Sequence, residues 1–362
     1  MAAILIPLLL ALVATGALLG VVPLLIYLER KISAFIQGRE GPNRVHLSIG
    51  GQAITPRGIL QPLADAIKLI FKEDAVPARA DRFFFFMAPW VAVVTNAATF
   101  CVIPFGSRIQ ITEDTPVLGS LLGAMEINLQ VADANAGILV ILALSSLAVY
   151  ALAFGGWSAN SKYPLMGGLR ATAQVISYEI TLGLALVSVL LTAGTLDLQE
   201  IVQRQAAGSY GILSWNVFTQ PLACLLLVIA AFAENNRLPF DLPEAEPELV
   251  GGYHTEYSGL KFAMFFMGEY IAMITMSSVV VTLFFGGWSL PGVVDPAGSG
   301  LVNGLLSVLV FAAKTGVMLF LYIHVRWSIP RFRYDTLMGL GWKKLVPISL
   351  ANIAVTALVL AL

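Results

Sequence analysis

The stretch that decides the reading is Ala233–Ser258, AENNRLPFDLPEAEPELVGGYHTEYS. It sets six carboxylates (Glu234, Asp241, Glu244, Glu246, Glu248 and Glu256) and one arginine, Arg237, between two long apolar runs. Pro239, Pro243 and Pro247 recur at every fourth position and forbid one continuous helix. Gly251 and Gly252 then free the backbone before the next apolar run. A charge run of this kind is ordinarily a solvated loop. Here Phe240, Leu242, Leu249 and Val250 interleave with the acids, as in a folded loop with a buried side.

Around that loop the chain is greasy. Hydrophobic residues make up 58% of the 362 and charged residues 12%, with a mean hydropathy of +0.83. Apolar runs of 18 or more residues mean membrane-spanning helices. The expected fold is all-α, a polytopic membrane protein forming a single membrane domain over 1–362. The formal net charge is −1, and no nucleic-acid partner is expected. Cys101 and Cys224 each lie inside an apolar run with no neighbouring ligand, and there are three histidines. Zinc and iron–sulfur sites need clustered Cys and His, so no metal and no bound cofactor are expected. Both cysteines read as buried free thiols, with a disulfide the open alternative. No basic segment precedes the first apolar run, and Glu29-Arg30-Lys31 follow it, the pattern of a retained anchor.

Eight spans are expected, near 3–28, 83–104, 134–157, 171–193, 218–236, 262–286, 303–325 and 345–362. Each reaches or approaches the roughly 20 residues needed to cross about 30 Å of hydrocarbon. The loops 29–82, 158–170, 237–261 and 326–344 hold 9, 2, 2 and 5 Lys or Arg, against 1, 1 and 0 in the others. That asymmetry places the basic loops in the cytoplasm and both termini on the far side. In the first loop, Ile59, Leu60, Leu63, Ile67, Ile70 and Phe71 fall at helical spacing, with Asp65, Lys68 and Lys72 away from them. This predicts an amphipathic helix at the membrane surface. The last loop carries Arg326, Arg331, Arg333, Lys343 and Lys344, suited to lipid phosphates or an acidic partner. The loops after spans 4 and 6 read as ordinary connectors.

Ionisable groups inside spans cost about 2.5–3.5 kcal/mol each at a helix centre, so each is a candidate for function. Glu179 and Glu269 are expected about 12 and 10 Å below the cytoplasmic surface, and Lys314 about 16 Å from the far face. Glu234 closes span 5 beside the acidic loop. Three acids leading away from that loop make a candidate proton path, with inter-helix hydrogen bonding the plainer alternative. No phosphate-binding loop, dinucleotide fingerprint or clustered nucleophile is present, so the chain is not expected to hydrolyse ATP.

Glu29-Arg30-Lys31, Gly41-Pro42-Asn43-Arg44, Leu60-Gln61-Pro62-Leu63-Ala64-Asp65, Phe71-Lys72-Glu73-Asp74, Ser177-Tyr178-Glu179, the Arg237–Glu246 string and Glu248-Leu249-Val250 resemble the H-subunit family of bacterial NADH–quinone oxidoreductase. This is respiratory complex I, whose mitochondrial counterpart is NADH dehydrogenase subunit 1. The resemblance runs over essentially the whole chain. It implies eight spans, a surface helix after the first, and a chamber for quinone such as ubiquinone, entered between span 1, the surface helix and span 6. Flavin and iron–sulfur clusters would sit on soluble partner subunits at the cytoplasmic face, and antiporter-like subunits would adjoin in the bacterial inner membrane. Quinone would be the substrate of a translocase active only as part of the complex. Carried over by position, Arg30, Arg39, Asp65 and Lys68 would frame the chamber, and Arg237, Asp241, Glu244, Glu246 and Glu248 would form a redox-responsive loop. Glu179, Glu234 and Glu269, with Tyr178, Tyr270 and Lys314, would match the buried proton relay. Asn235-Asn236 departs from the usual pattern, conservatively. Open alternatives are the equivalent subunit of an energy-converting hydrogenase or ferredoxin-linked complex, a stand-alone ion transporter, and a structural anchor.

Overall fold

A computed structural model describes residues 2–45, 47–49, 52–54, 58–111, 125–208, 210–242, 249–295, 298 and 300–362. Among these residues seven helices are long and apolar enough to cross a membrane, and the protein is a multi-pass membrane protein. In chain order the first elements are α1 (Ala2–Ile36), β1 (Leu47–Ile49), β2 (Gln52–Ile54), α2 (Gln61–Phe71), α3 (Arg82–Cys101), β3 (Ile109–Ile111) and β4 (Met125–Ile127). There follow α4 (Gly137–Ser158), α5 (Lys162–Ala193), α6 (Leu198–Ala206), α7 (Pro221–Glu234), α8 (Gly259–Phe284), α9 (Leu301–Ser328), α10 (Tyr334–Leu340) and α11 (Val346–Ala361). A π-helical turn, Gly341–Leu345, fuses α10 to α11. The strands form two small antiparallel hairpins, Leu47 opposite Ile54 and Ile109 opposite Ile127, which hydropathy does not announce.

Several helices outrun the hydropathy signal. α1 continues to Ile36, so Glu29-Arg30-Lys31 stand on its last turns and not in a loop. α5 begins at Lys162, nine residues before the expected span, and carries Arg170. The final helical run begins at Tyr334, which places Lys343 and Lys344 on the π turn and leaves only a short strap after α9. In each case the added turns mix apolar residues with charged ones, as in Glu29-Arg30-Lys31, Lys162 with Arg170, and Lys343-Lys344, so the charges interrupt the hydropathy signal while the helix runs on. The connector after span 4 also proves structured. Asp197 accepts from Gln199 N to cap α6, which buries Leu198, Ile201, Val202 and Gln205.

α7 is the exception in the other direction. It has 14 residues, against the 19 expected, and Pro221 opens it after a one-turn helix, Asn216–Thr219. At 1.5 Å per residue it is about 21 Å long, less than the roughly 30 Å of hydrocarbon. Beyond its N-terminal end lies a cavity of about 580 Å³ lined by Arg204, Asn216, Gln220, Asn352 and Thr356 among others.

The core forms around α8, which packs against α3, α9, α1, α6 and α7. From Met273 to Phe284 every residue of it is buried. α5 links α4, α7 and α11 on the other side. The outward apolar residues of α1, α9 and α11, such as Leu12, Leu309 and Val355, stay exposed, as a lipid-facing surface requires. The first-loop helix forms as α2, and Leu63, Ile67, Ile70 and Phe71 remain uncovered on it. α2 touches both α1 and α8. Its exit is clamped to the start of α8: Lys261 Nζ lies 2.8 Å from Asp74 Oδ2, Ser258 Oγ donates to Glu73 O, and Ala75 N donates back to Ser258 Oγ.

Candidate functional site: a buried arginine–carboxylate cluster

The loop after α7 turns immediately inward. Asn235 Nδ2 donates to Tyr322 OH at 3.1 Å, and Gln174 Nε2 donates to Ala233 O at 2.8 Å and Asn236 Oδ1 at 3.3 Å. Asn236 takes a left-handed φ of 50°, a conformation asparagine tolerates well. The Asn235-Asn236 pair therefore has a structural job at this turn.

The next residue, Arg237, is 2% exposed. Its Nη1 donates to both oxygens of Glu29, at 3.2 and 3.3 Å, and its Nε lies 2.5 Å from Glu269 Oε1. The guanidinium also sits over the Tyr270 ring, 4.6 Å from its centre. Burial works against the charge, but the carboxylates of Glu269 and Glu29 outweigh it and hold the arginine's pKa above its ordinary value.

Glu29 is the hub of this cluster. Besides Arg237 it accepts from Tyr270 OH at 2.8 Å and from Arg326 Nη1 at 2.5 Å. Two arginines and two carboxylates thus meet where α1, α8, α9 and the acidic loop converge. The sequence gives Glu29 no role beyond its motif and sets Arg326 in a basic patch for lipid phosphates or an acidic partner, whereas Arg326 stands on the last turn of α9 and pairs with Glu29. The available signal is an isolated acid and an isolated base at the ends of two apolar helices, which must find partners once buried.

Glu269 and Glu234 open onto one mainly apolar cavity of about 70 Å³, whose other polar lining residues include Asn96, Ser145, Asn235, Tyr253 and Thr275. Glu179 stands beside it on α5. Adjacent serines of α4 face the two acids, Ser146 donating to Glu179 and Ser145 facing Glu234. The three glutamates therefore lie on adjoining helices and turn toward the protein interior.

The other candidates fall into separate places. Tyr270 joins the cluster. Tyr178, fully buried, donates to Leu337 O at 2.9 Å, and its ring packs edge-on to Phe240. Asp241 pairs with Arg331 at 3.1 Å, and Phe332 N donates to Pro239 O, so the start of the acidic loop is strapped to the segment after α9. Arg30 pairs with Asp65 of α2 at 2.6 Å. Arg39 is exposed and donates to Gln37, and Lys68 is exposed on α2. Glu244, Glu246 and Glu248 lie outside the described residues. Lys314 is not brought to the carboxylates; its ammonium donates to carbonyls at the far end of α8.

Past the acids the loop closes on an aromatic shelf. Tyr257 stacks on Phe85, with ring centres 4.1 Å apart, and its hydroxyl meets Ser158 Oγ at 3.2 Å. Burial pushes the Tyr257 hydroxyl up to about 12. His254 packs edge-on against Tyr253 and Phe262, and burial lowers it to about 4.

The family model described as NADH dehydrogenase matches residues 8–357. The chain is 49% identical over 360 residues to a subunit, numbered 8, of the NADH-quinone oxidoreductase of Rhodothermus marinus, covering 98% of this chain and 97% of the relative. It is 45% identical over 356 residues to the H-type subunit of the same enzyme from Salinibacter ruber, with 96% and 94% covered. One of the H-type subunits of Geobacter metallireducens is 47% identical over 338 residues, with 93% and 91% covered. On a match that runs nearly end to end, the protein belongs to the NADH dehydrogenase family.

Proposed function

We propose that the chain is a membrane subunit of a proton-pumping NADH–quinone oxidoreductase, forming part of its quinone chamber and coupling quinone reduction to proton movement. The observation that carries this reading is Arg237, held between Glu29 and Glu269, with Glu269 opening onto the same cavity as Glu234. The names of the similar proteins support the quinone-linked enzyme over a hydrogenase or ferredoxin-linked one.

In this reading α2 lies at the cytoplasmic membrane surface, its apolar face in the lipid, and quinone enters between α1, α2 and α8. Arg30, Asp65, Arg39 and Lys68 frame the entrance. The soluble partner subunits carry flavin and iron–sulfur clusters and deliver electrons above the loop that holds Arg237, Asp241, Glu244, Glu246 and Glu248. A negative charge developing on the quinone competes for Arg237, which weakens its hold on Glu269. That alters how firmly Glu269 keeps a proton, each tenfold change amounting to about 1.4 kcal/mol. The proton passes through the shared cavity to Glu234 and on past Ser145 and Ser146 to Glu179, toward antiporter-like membrane subunits. Tyr270 tracks the charge through Glu29, while Tyr178 fixes α5 to α10. The complex sits in the bacterial inner membrane with both termini of this chain periplasmic.

The test is quinone reduction and proton pumping in the assembled complex carrying E269Q, E234Q or E179Q. Loss of pumping per quinone reduced is expected for each. Full pumping at full turnover in all three would end the relay reading.

A further inference from the structure

We propose that the turn Phe285–Ser289 is a cation-binding site made of backbone carbonyls, and that Lys314 is a tethered ligand filling it. The class of ligand is a primary ammonium. This inference does not depend on the quinone reading, because the turn lies at the end of α8 away from Glu269.

The geometry is that of an occupied site. Lys314 Nζ donates to Phe285 O at 2.7 Å, Gly287 O at 3.0 Å and Ser289 O at 2.5 Å. Three acceptors need three N–H donors, which lysine has only as the ammonium. The Trp215 ring closes another side, 4.3 Å from the nitrogen to the ring centre. Among the described residues no carboxylate pairs with Lys314, so the carbonyl dipoles are its counter-charge. Phe285 is the C-cap of α8, where the macrodipole is negative, and Gly287 and Ser289 add carbonyls from the turn just beyond it.

The sequence builds the turn for this purpose. Gly286 and Gly287 are consecutive left-handed residues, with φ of 69° and 50°, and together they roll the alternate carbonyls of Phe285, Gly287 and Ser289 toward one point, while Gly286 O accepts from Ser289. A Cβ on Gly286 would come 2.6 Å from Trp215 Nε1, and one on Gly287 would come 2.6 Å from Val202 Cγ2. Gln205 of α6 holds the turn from behind: its Oε1 accepts from Gly286 N at 3.1 Å, and its Nε2 donates to Thr282 O at 3.1 Å. Trp288 Nε1 donates to Gln199 Oε1 at 3.3 Å. The site therefore locks α6, α8 and α9 together, and Lys314 is a positioning residue.

The experiment is thermal unfolding of the detergent-solubilised complex carrying K314A, with propylammonium chloride, which replaces the deleted atoms, or tetramethylammonium chloride, which has no N–H donor. K314A should lower the Tm by several degrees, propylammonium should recover most of that shift, and tetramethylammonium should not. A wild-type Tm for K314A, or equal effects of the two salts, would overturn the proposal. Should K314A fail to assemble, reductive methylation of the wild-type complex decides. Lys314 should stay unmodified while exposed Lys68 and Lys343 react. Dimethylation of Lys314 with no change in Tm would overturn the proposal, since a dimethylated ammonium keeps a single N–H.

Discussion

Arg237 and Glu269 meet at 2.5 Å, so the first basic residue of the acidic loop is the counter-ion of a carboxylate on a membrane helix. Whatever moves this loop must break or remake that pair. The pair is almost dry, with 2% of the arginine side chain and 14% of the glutamate side chain exposed.

Replacing Arg237 should therefore be costly. R237A leaves Glu29 and Glu269 buried without their shared cation, and removing one partner of a buried pair costs about 3–5 kcal/mol. We expect sharply reduced amounts of assembled complex, measured by native electrophoresis of solubilised membranes. R237K keeps the charge but cannot span two carboxylates with a planar fork, and should fall between.

Glu29 should behave as a structural hub. E29A removes the acceptor of Arg237, Arg326 and Tyr270 at once. The expected loss is again about 3–5 kcal/mol, read as a fall in Tm. E29Q, which keeps one acceptor oxygen, should lose less. A Tm for E29A equal to that of wild type would contradict the geometry.

His254 supplies a pH dependence. Its folded-state pKa is about 4 against an ordinary 6.5, because burial disfavours the charged ring. A depressed folded value means the contribution is fully present above 6.5 and is lost as pH falls from there toward 4. The ring keeps some exposure, so the loss is discounted to about 2–3 kcal/mol. Melting curves across that window should flatten in H254F, and an unchanged slope would count against the assignment.

The strap between Asp241 and Arg331 ties the start of the acidic loop to the segment after α9. R331A should remove this tie between the loop and the segment after α9 and loosen the loop. Faster cleavage by glutamyl endopeptidase within 244–248 is the expected outcome, compared with wild type in the same detergent.

Much of this is legible in hydropathy. The helices of the spans follow in the expected order, and the acidic loop turns Phe240, Leu242 and Leu249 inward, whereas Val250, expected beside them, is 65% exposed. The ends of helices are not legible where a helix leaves hydrocarbon. The turns bearing Glu29, Arg170 and Lys343 mix charged with apolar residues, which interrupts the hydropathy signal although each continues a helix. Nor is the centre of the cluster visible. Glu29 and Arg237 are 208 residues apart in sequence, and only the convergence of α1 with the loop after α7 makes them partners. Lys314 shows the opposite failure: an intramembrane charge invites a role beside the acids, and the chain instead satisfies it with carbonyls, which leave no trace in residue identity.

The brevity of α7 has an electrical consequence. Its 14 residues separate the cavity at Glu234 from the larger hollow beneath Gln220 and Pro221. With water in both, the membrane voltage falls across a septum of about 21 Å and not across the whole slab. Any charge traversing that septum then takes up the full work, about 2.3 kcal/mol per 100 mV, over the shorter distance. The local field would then be steeper there than in the surrounding bilayer.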